Sequence, residues 1–119
     1  MGTILIVDDS KTSRKILDSI LTEAGLTVVG QAADGSEGVR MYRELKPDLV
    51  TMDITMPVMD GVEALKLIKE FDPNAKVVMV TAAGQKSKII EALKLGVDDF
   101  LTKPYEADEI TSTIKKILS

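Results

Sequence analysis

A parallel β-sheet covered by helices on both faces, a doubly wound α/β fold, is what this sequence predicts on three observations. Five short runs rich in Val, Ile, Leu and Met alternate with stretches of helical spacing. The runs are almost continuously apolar, as strands covered on both faces are. The stretches between them begin at capping residues and stop at glycine or ahead of proline. Such alternation is joined by right-handed crossovers into a parallel sheet of five strands with five helices.

The first run, TILIVD (3–8), predicts a strand. Ser10 can then cap a helix whose Ile16, Leu17, Ile20, Leu21 and Ala24 share a face, and Gly25 can end it. TVVGQA (27–32) predicts the second strand, followed by a helix from about Ser36 to Leu45 that carries Gly38 and stops ahead of Pro47. DLVTMD (48–53) predicts the third strand. Asp60, with Glu63 three residues on, has the capping-box pattern for a third helix that presents Leu65, Ile68 and Phe71 on one face. KVVMVT (76–81) predicts the fourth strand. In the helix that follows, ended by Gly96, the spacing places Ile89, Ile90 and Leu93 in the core, leaving Lys86, Lys88 and the later Tyr105 exposed to a partner. DFLTK (99–103) predicts the fifth strand, and Ile110, Ile114, Ile117 and Leu118 the apolar face of the last helix.

Composition narrows the function. The 119 residues suit one domain, since a chain of this length buries about two-thirds of its extended surface on folding. The 19 acidic and 15 basic residues leave a net charge of -4, with no basic stripe to follow a phosphate backbone, so direct nucleic-acid binding is not expected. Cysteine and histidine are absent. That excludes disulfides and thiolate or imidazole metal sites, fits a cytoplasmic protein, and leaves carboxylates, hydroxyls, amines and a hard metal ion for any chemistry. The N-terminal MGTILIVDDS meets acids after one short apolar run and has Ile6 where a myristoylation signal needs Ser or Thr. Neither membrane insertion nor lipidation is expected.

In sheets of this kind ligands bind beyond the carboxyl ends of the strands. The predicted ends carry Asp8 and Asp9, then Asp53, then Thr81, then Lys103 before Pro104. Taken singly, each has a plainer account: acids favouring the start of a helix, turn chemistry before a proline, a hydroxyl tied to backbone, an exposed lysine. Together, acids, hydroxyl and amine on four separate strand ends exceed what folding requires. Carboxylates converging in one crevice need compensating cations, which Lys103 and a divalent ion would supply. All-oxygen ligands suit Mg²⁺ better than Zn²⁺. Mg²⁺ held this way usually bridges to a phosphoryl group, and an Asp carboxylate can be the nucleophile that accepts one. Asp53, between the acidic pair and the lysine, is the candidate acceptor.

The segments LIVDDS, DLVTMDITMPVMDGVEAL, VVMVTA and DDFLTKPY closely resemble the receiver domain of two-component response regulators, over essentially the whole chain, 1–119. The resemblance implies a flavodoxin-like strand order of 2-1-3-4-5. It also implies that Asp53 takes a phosphoryl group from a sensor histidine kinase. Mg²⁺ would be held by Asp9, Asp53 and the backbone carbonyl of Thr55, with Asp8 acting through water, and Lys103 would contact the phosphoryl oxygens. Thr81 would move toward the new phosphate and Phe100 would turn inward, altering the surface of helix 4, strand 5 and helix 5.

Phe100 stands where many chemotaxis-type members carry Tyr, so ring packing alone can report the switch. Thr55 and Ala83 occupy positions that tune dephosphorylation in that family, and neither is a strongly accelerating or protecting residue. DITMPVMDGVEALK and GQKSKIIEALKLG look most like single-domain chemotaxis regulators that bind a flagellar-motor switch protein. The expected protein is therefore a monomeric phosphoacceptor switch with no output domain, signalling by binding another protein and catalysing only its own phosphorylation and dephosphorylation. A phosphorelay receiver is the alternative within the family. An Mg²⁺-dependent aspartyl phosphohydrolase is the alternative from another class, though Ile54 and Thr55 stand where the second acid of an Asp-x-Asp motif would be. A flavin-binding module fits less well, because DDSKTS puts acids where a phosphate-cradling loop is wanted.

Overall fold

The computed structural model describes residues 2–119. Among these residues the predicted alternation is present in full: β1 (Thr3–Val7), α1 (Lys11–Glu23), β2 (Thr27–Ala32), α2 (Gly35–Leu45), β3 (Leu49–Asp53), α3 (Gly61–Phe71), β4 (Val77–Thr81), α4 (Lys86–Lys94), β5 (Asp99–Thr102) and α5 (Ala107–Leu118). All strand pairings are parallel, in the order β2-β1-β3-β4-β5. No helix among the described residues is long and apolar enough to cross a membrane.

The sheet separates two apolar layers. Leu5, Val7, Val50, Met52 and Met79 face α2, α3 and α4, while Ile4, Ile6, Leu49, Val78 and Leu101 face α1 and α5. Strands β3 and β4 are buried along their whole length, as continuous apolar runs require, whereas β2, at the edge, alternates between exposed and half-buried positions until the buried Ala32.

The helix ends follow their sequence signals. Ser10 caps α1 by accepting the Ser13 N–H, and Asp60 caps α3 by accepting the Glu63 N–H. Helices α1 and α4 both end in Schellman motifs on left-handed glycines, Gly25 and Gly96, with Leu26 N–H donating to Leu21 O and Val97 N–H to Ala92 O. Helix α2 starts earlier than expected, capped by Asp34.

Four apolar residues expected inside are exposed. Ile16 is 48% exposed, since the stripe α1 buries is centred on Leu17 and Leu21. Phe71, 47% exposed at the last turn of α3, instead meets the Tyr42 ring edge-on and the Arg43 guanidinium. On α4, Ile90 and Leu93 are 45% and 58% exposed. That short helix approaches the sheet through the fully buried Ala92, with Ile89 alone of the three expected residues packed on the core.

Candidate functional site

Alternating strands and helices bring the carboxyl ends of β1, β3, β4 and β5 to one edge of the sheet. Asp8 directly follows β1 and is 2% exposed. Its Oδ1 accepts the Ser10 N–H at 2.8 Å, and its backbone carbonyl accepts a hydrogen bond from the Arg14 guanidinium at 2.7 Å. Asp9 is exposed beside it. Asp53 ends β3, is 9% exposed, and accepts the Ile54 N–H through Oδ1 at 3.1 Å. Carboxylate oxygens of Asp8, Asp9 and Asp53 lie within 4.8 Å of one another.

Lys103, the first residue after β5, completes the cluster. Its Nζ stands 3.0 Å from Asp8 Oδ2 and 3.4 Å from Asp53 Oδ2. The bond joining it to Pro104 is cis. Burial, then the neighbouring Asp8 charge, push the Asp53 carboxyl up from 3.8 to about 6, against the pull of Lys103. Burial disfavours the Lys103 charge, but Asp8 and Asp53 outweigh it and hold the ammonium above its ordinary value.

Thr81 ends β4, between Asp53 and Lys103 in the sheet order, and is buried. Its hydroxyl donates over a long 3.4 Å to the Leu101 carbonyl. Phe100 sits two pairs earlier on β5, opposite Met79, and packs against the α2–α3 side of the core. Thr55 is exposed in the β3–α3 loop, and its side chain accepts a hydrogen bond from Gln85. Thus the structure brings Asp8, Asp9, Asp53 and Lys103 together, sets Thr81 on the intervening strand, and leaves Thr55 and Phe100 on its borders.

Gly61 fixes the loop beyond Asp53. Its N–H donates to Ile54 O at 2.7 Å, and a Cβ there would collide with the Asp53 carbonyl oxygen, so only glycine lets α3 begin so close to the strand end.

Three contributors escape sequence reading. Arg14 carried no motif, although it faces the site one helical turn after Ser10. Gln85 sits in an ordinary polar loop. Tyr105, expected on the surface, is half-buried against the α1–α5 side of the core, with its hydroxyl buried and without a hydrogen-bond partner. Burial, followed by the charges of Asp8 and Asp53, raises its pKa. Its place two residues after the lysine is the one signal that could have put it near the acids.

The model of the response regulator receiver domain matches residues 4–115. The chain belongs to that family. It is 47% identical to the chemotaxis protein CheY of Thermotoga maritima, over 96% of this chain and 95% of that protein. Against the chemotaxis protein CheY of Bacillus subtilis it is also 47% identical, over 98% and 97% of the two chains. Among solved structures, the CheX-CheY-BeF3-Mg²⁺ complex from Borrelia burgdorferi contains a chain similar to this one with a TM-score of 0.92 and 38% identity, covering 98% of this chain and 89% of that one. The expected flavodoxin-like fold is the observed one, and this receiver domain is a phosphoacceptor signalling switch of the chemotaxis-regulator kind.

Proposed function

We propose that Asp53 is the residue that receives the phosphoryl group, from a phosphohistidine of a sensor kinase. The observation that carries this reading is the placement of Lys103 Nζ against both Asp8 and Asp53, which pairs the candidate nucleophile with a cation suited to phosphoryl oxygens. An Asp53 oxygen attacks phosphorus, the P–N bond breaks, and the imidazole nitrogen keeps the electron pair and takes up a proton. Lys103 orients the phosphoryl oxygens as their charge shifts.

The acidic pocket fits Mg²⁺. Its donors are hard oxygens from three clustered carboxylates, and Asp8 Oδ2, buried, lacks a well-directed hydrogen bond. Asp9, Asp53 and the Thr55 carbonyl would hold the ion, with Asp8 bound through water. When bound, it neutralises charge on the phosphoryl oxygens and on the carboxylates.

Once modified, Asp53 carries an added charge of about -1.5 to -2 with strong acceptor oxygens. The Thr81 hydroxyl, held only by its long bond to Leu101, turns to them, and Phe100 fills the space it leaves. The α4–β5–α5 face, where Ile90 and Leu93 are already exposed, then binds a protein target. A flagellar-motor switch protein is that target by analogy with the chemotaxis relatives, and the chain acts on no other substrate than its own carboxylate.

Intact-mass analysis with Mg²⁺ and a small phosphodonor tests the assignment. One added phosphoryl group is expected, abolished by chelation or by Asp53→Asn. A label that survives the substitution would overturn it. Co-purification of the labelled protein with the motor switch protein, and not of Asp53→Asn, tests the output.

A further inference from the structure

Among the described residues three buried side-chain oxygens find no hydrogen-bond partner: Asp8 Oδ2, Thr51 Oγ1 and Tyr105 Oη. All three lie on one side of the sheet. Ile4 and Ile6 of β1, Leu49 of β3 and Leu101 of β5 face α1 and α5, and alternation along each strand puts Asp8, Thr51 with Asp53, and Lys103 on that same side. Pairing continues past the strand ends, from Asp8 N–H to Ala32 O at 3.0 Å and from Lys103 N–H to Thr81 O at 2.9 Å, and carries the alternation into the pocket. Tyr105 packs against the same layer two residues beyond Lys103, and the charges its hydroxyl feels are those of Asp8, then Asp53. Burial and these charges hold the phenol in its protonated form, a donor. An orphan donor and an orphan carboxylate oxygen are thus buried on one side of the pocket. Leaving such groups unpaired destabilises the fold, and Phe in place of Tyr105 would fill the same space with no hydroxyl to satisfy.

We propose that Tyr105 is a positioning residue for phosphoryl transfer: when Lys103 leaves Asp8 for the phosphoryl oxygens, the Tyr105 hydroxyl donates to Asp8 Oδ2 in its place. The inference rests on the assignment of Asp53 as acceptor and of Lys103 to the incoming phosphoryl group. In the resting pocket Lys103 Nζ stands 3.0 Å from Asp8 Oδ2, nearer than to Asp53. Drawing the ammonium away strands a carboxylate that is 2% exposed, out of reach of bulk water. A neutral phenol suits the exchange. It donates one strong hydrogen bond to a carboxylate and adds no charge to compete with Mg²⁺ for the acids. The bond forms only with the phosphoryl group in place, so it favours transfer and leaves metal binding unchanged. One hydrogen bond to a charged group, made at that stage alone, sets a rate difference of about tenfold.

Tyr42 and Tyr105 are the chain's two tyrosines, and Tyr42 already donates to a carboxylate, Asp72 Oδ2, at 2.9 Å. Tyrosine isotopically labelled at Cζ therefore gives two NMR signals, one of them a built-in standard for a phenol bonded to a carboxylate. On the full chain, Mg²⁺ with beryllium fluoride, which stands in for the phosphoryl group, should carry the Tyr105 signal toward that of Tyr42, and Mg²⁺ alone should not. Lys103→Met should carry it there with neither added. Tyr105→Phe should melt no lower than the unaltered chain and keep its Mg²⁺ affinity, while a small phosphodonor with Mg²⁺ labels it about tenfold more slowly. A Tyr105 signal unmoved by beryllium fluoride, or a Tyr105→Phe chain that melts lower or is labelled at the unaltered rate, overturns the proposal and leaves the Asp53 assignment intact. Absence of label on the unaltered chain, or label surviving Asp53→Asn, overturns both.

Discussion

Lys103 Nζ reaches the Asp53 carboxylate at 3.4 Å across the width of β4, although the two residues are 50 positions apart in the chain. The same ammonium lies nearer still to Asp8, so one cation answers two carboxylates. Lys103→Met keeps the aliphatic stem and removes that answer. We expect it to lose about 1–3 kcal/mol of stability at pH 7.5, because a buried acid is left unpaired. At pH 5, with Asp53 protonated, the loss should shrink. Urea unfolding at the two pH values decides; equal losses would show that packing, not charge, is what the lysine supplies.

Asp53 itself costs the fold stability at neutral pH. Its carboxyl titrates near pH 6 in the folded protein and near 3.8 when unfolded, so between those values the folded state binds a proton the unfolded chain has released. That contribution is fully present below about pH 4 and is lost as pH rises through 6. Asp53→Asn should therefore be more stable than the unaltered chain by about 1–2 kcal/mol at pH 7, allowing for solvent that reaches the carboxylate. The difference should fade toward pH 4. Chemical unfolding in chelator across this range is the check, and a variant less stable at pH 7 would contradict the prediction.

Mg²⁺ should relieve the same repulsion. At tenfold excess over its dissociation constant a ligand bound only by the folded state adds about 1.4 kcal/mol. Thermal melts at pH 7.5 should rise with Mg²⁺ and lose that rise in Asp9→Asn and Asp53→Asn. Below pH 5 the rise should weaken, since protonated Asp53 no longer offers its charge.

Gly61→Ala forces a methyl group against the Asp53 carbonyl oxygen. Backbone cannot yield as a flexible side chain does, and the cost should be about 2–4 kcal/mol. The shifted strand end should also slow labelling of Asp53. A variant with normal melting would mean the β3–α3 loop has slack that its short hydrogen bonds do not suggest.

Ile90→Ser combined with Leu93→Ser should change stability by less than about 1 kcal/mol, as surface substitutions do, because both side chains are exposed. Binding of a protein target through α4 should weaken. A large loss of stability in calorimetry would place the pair in the core after all.

Most of the fold was legible because its strands are short apolar runs that end on charge or hydroxyl: ILIVDD, LVTMD, VVMVT. Each of those ends faces the same rim, so the acidic pocket and its lysine are readable from the sequence. What escaped did so for separate reasons. Helical spacing weighs Ile90 and Leu93 above Ala92, yet α4 buries the small Ala92 completely and leaves those two larger residues exposed. Gln85 meets Thr55 thirty positions away, Arg14 turns back from α1 to the Asp8 carbonyl, and the Tyr105 hydroxyl is buried without a partner, arrangements to which no local pattern corresponds. Asp34 was readable, since Asp34-x-x-Glu37 is a capping pattern, but Ser36 gave a competing start two residues later.

The order of the strands also sets a schedule for synthesis. Domains emerge from the ribosome N-terminus first. Asp8 and Asp53, on neighbouring strands, are therefore both made long before the lysine that follows β5. Without that last strand the sheet would have β4 as an open edge, and Asp8 and Asp53 would face each other with no lysine between them. Addition of β5 covers that edge and delivers the cation together, so the strand that completes the sheet also completes the pocket.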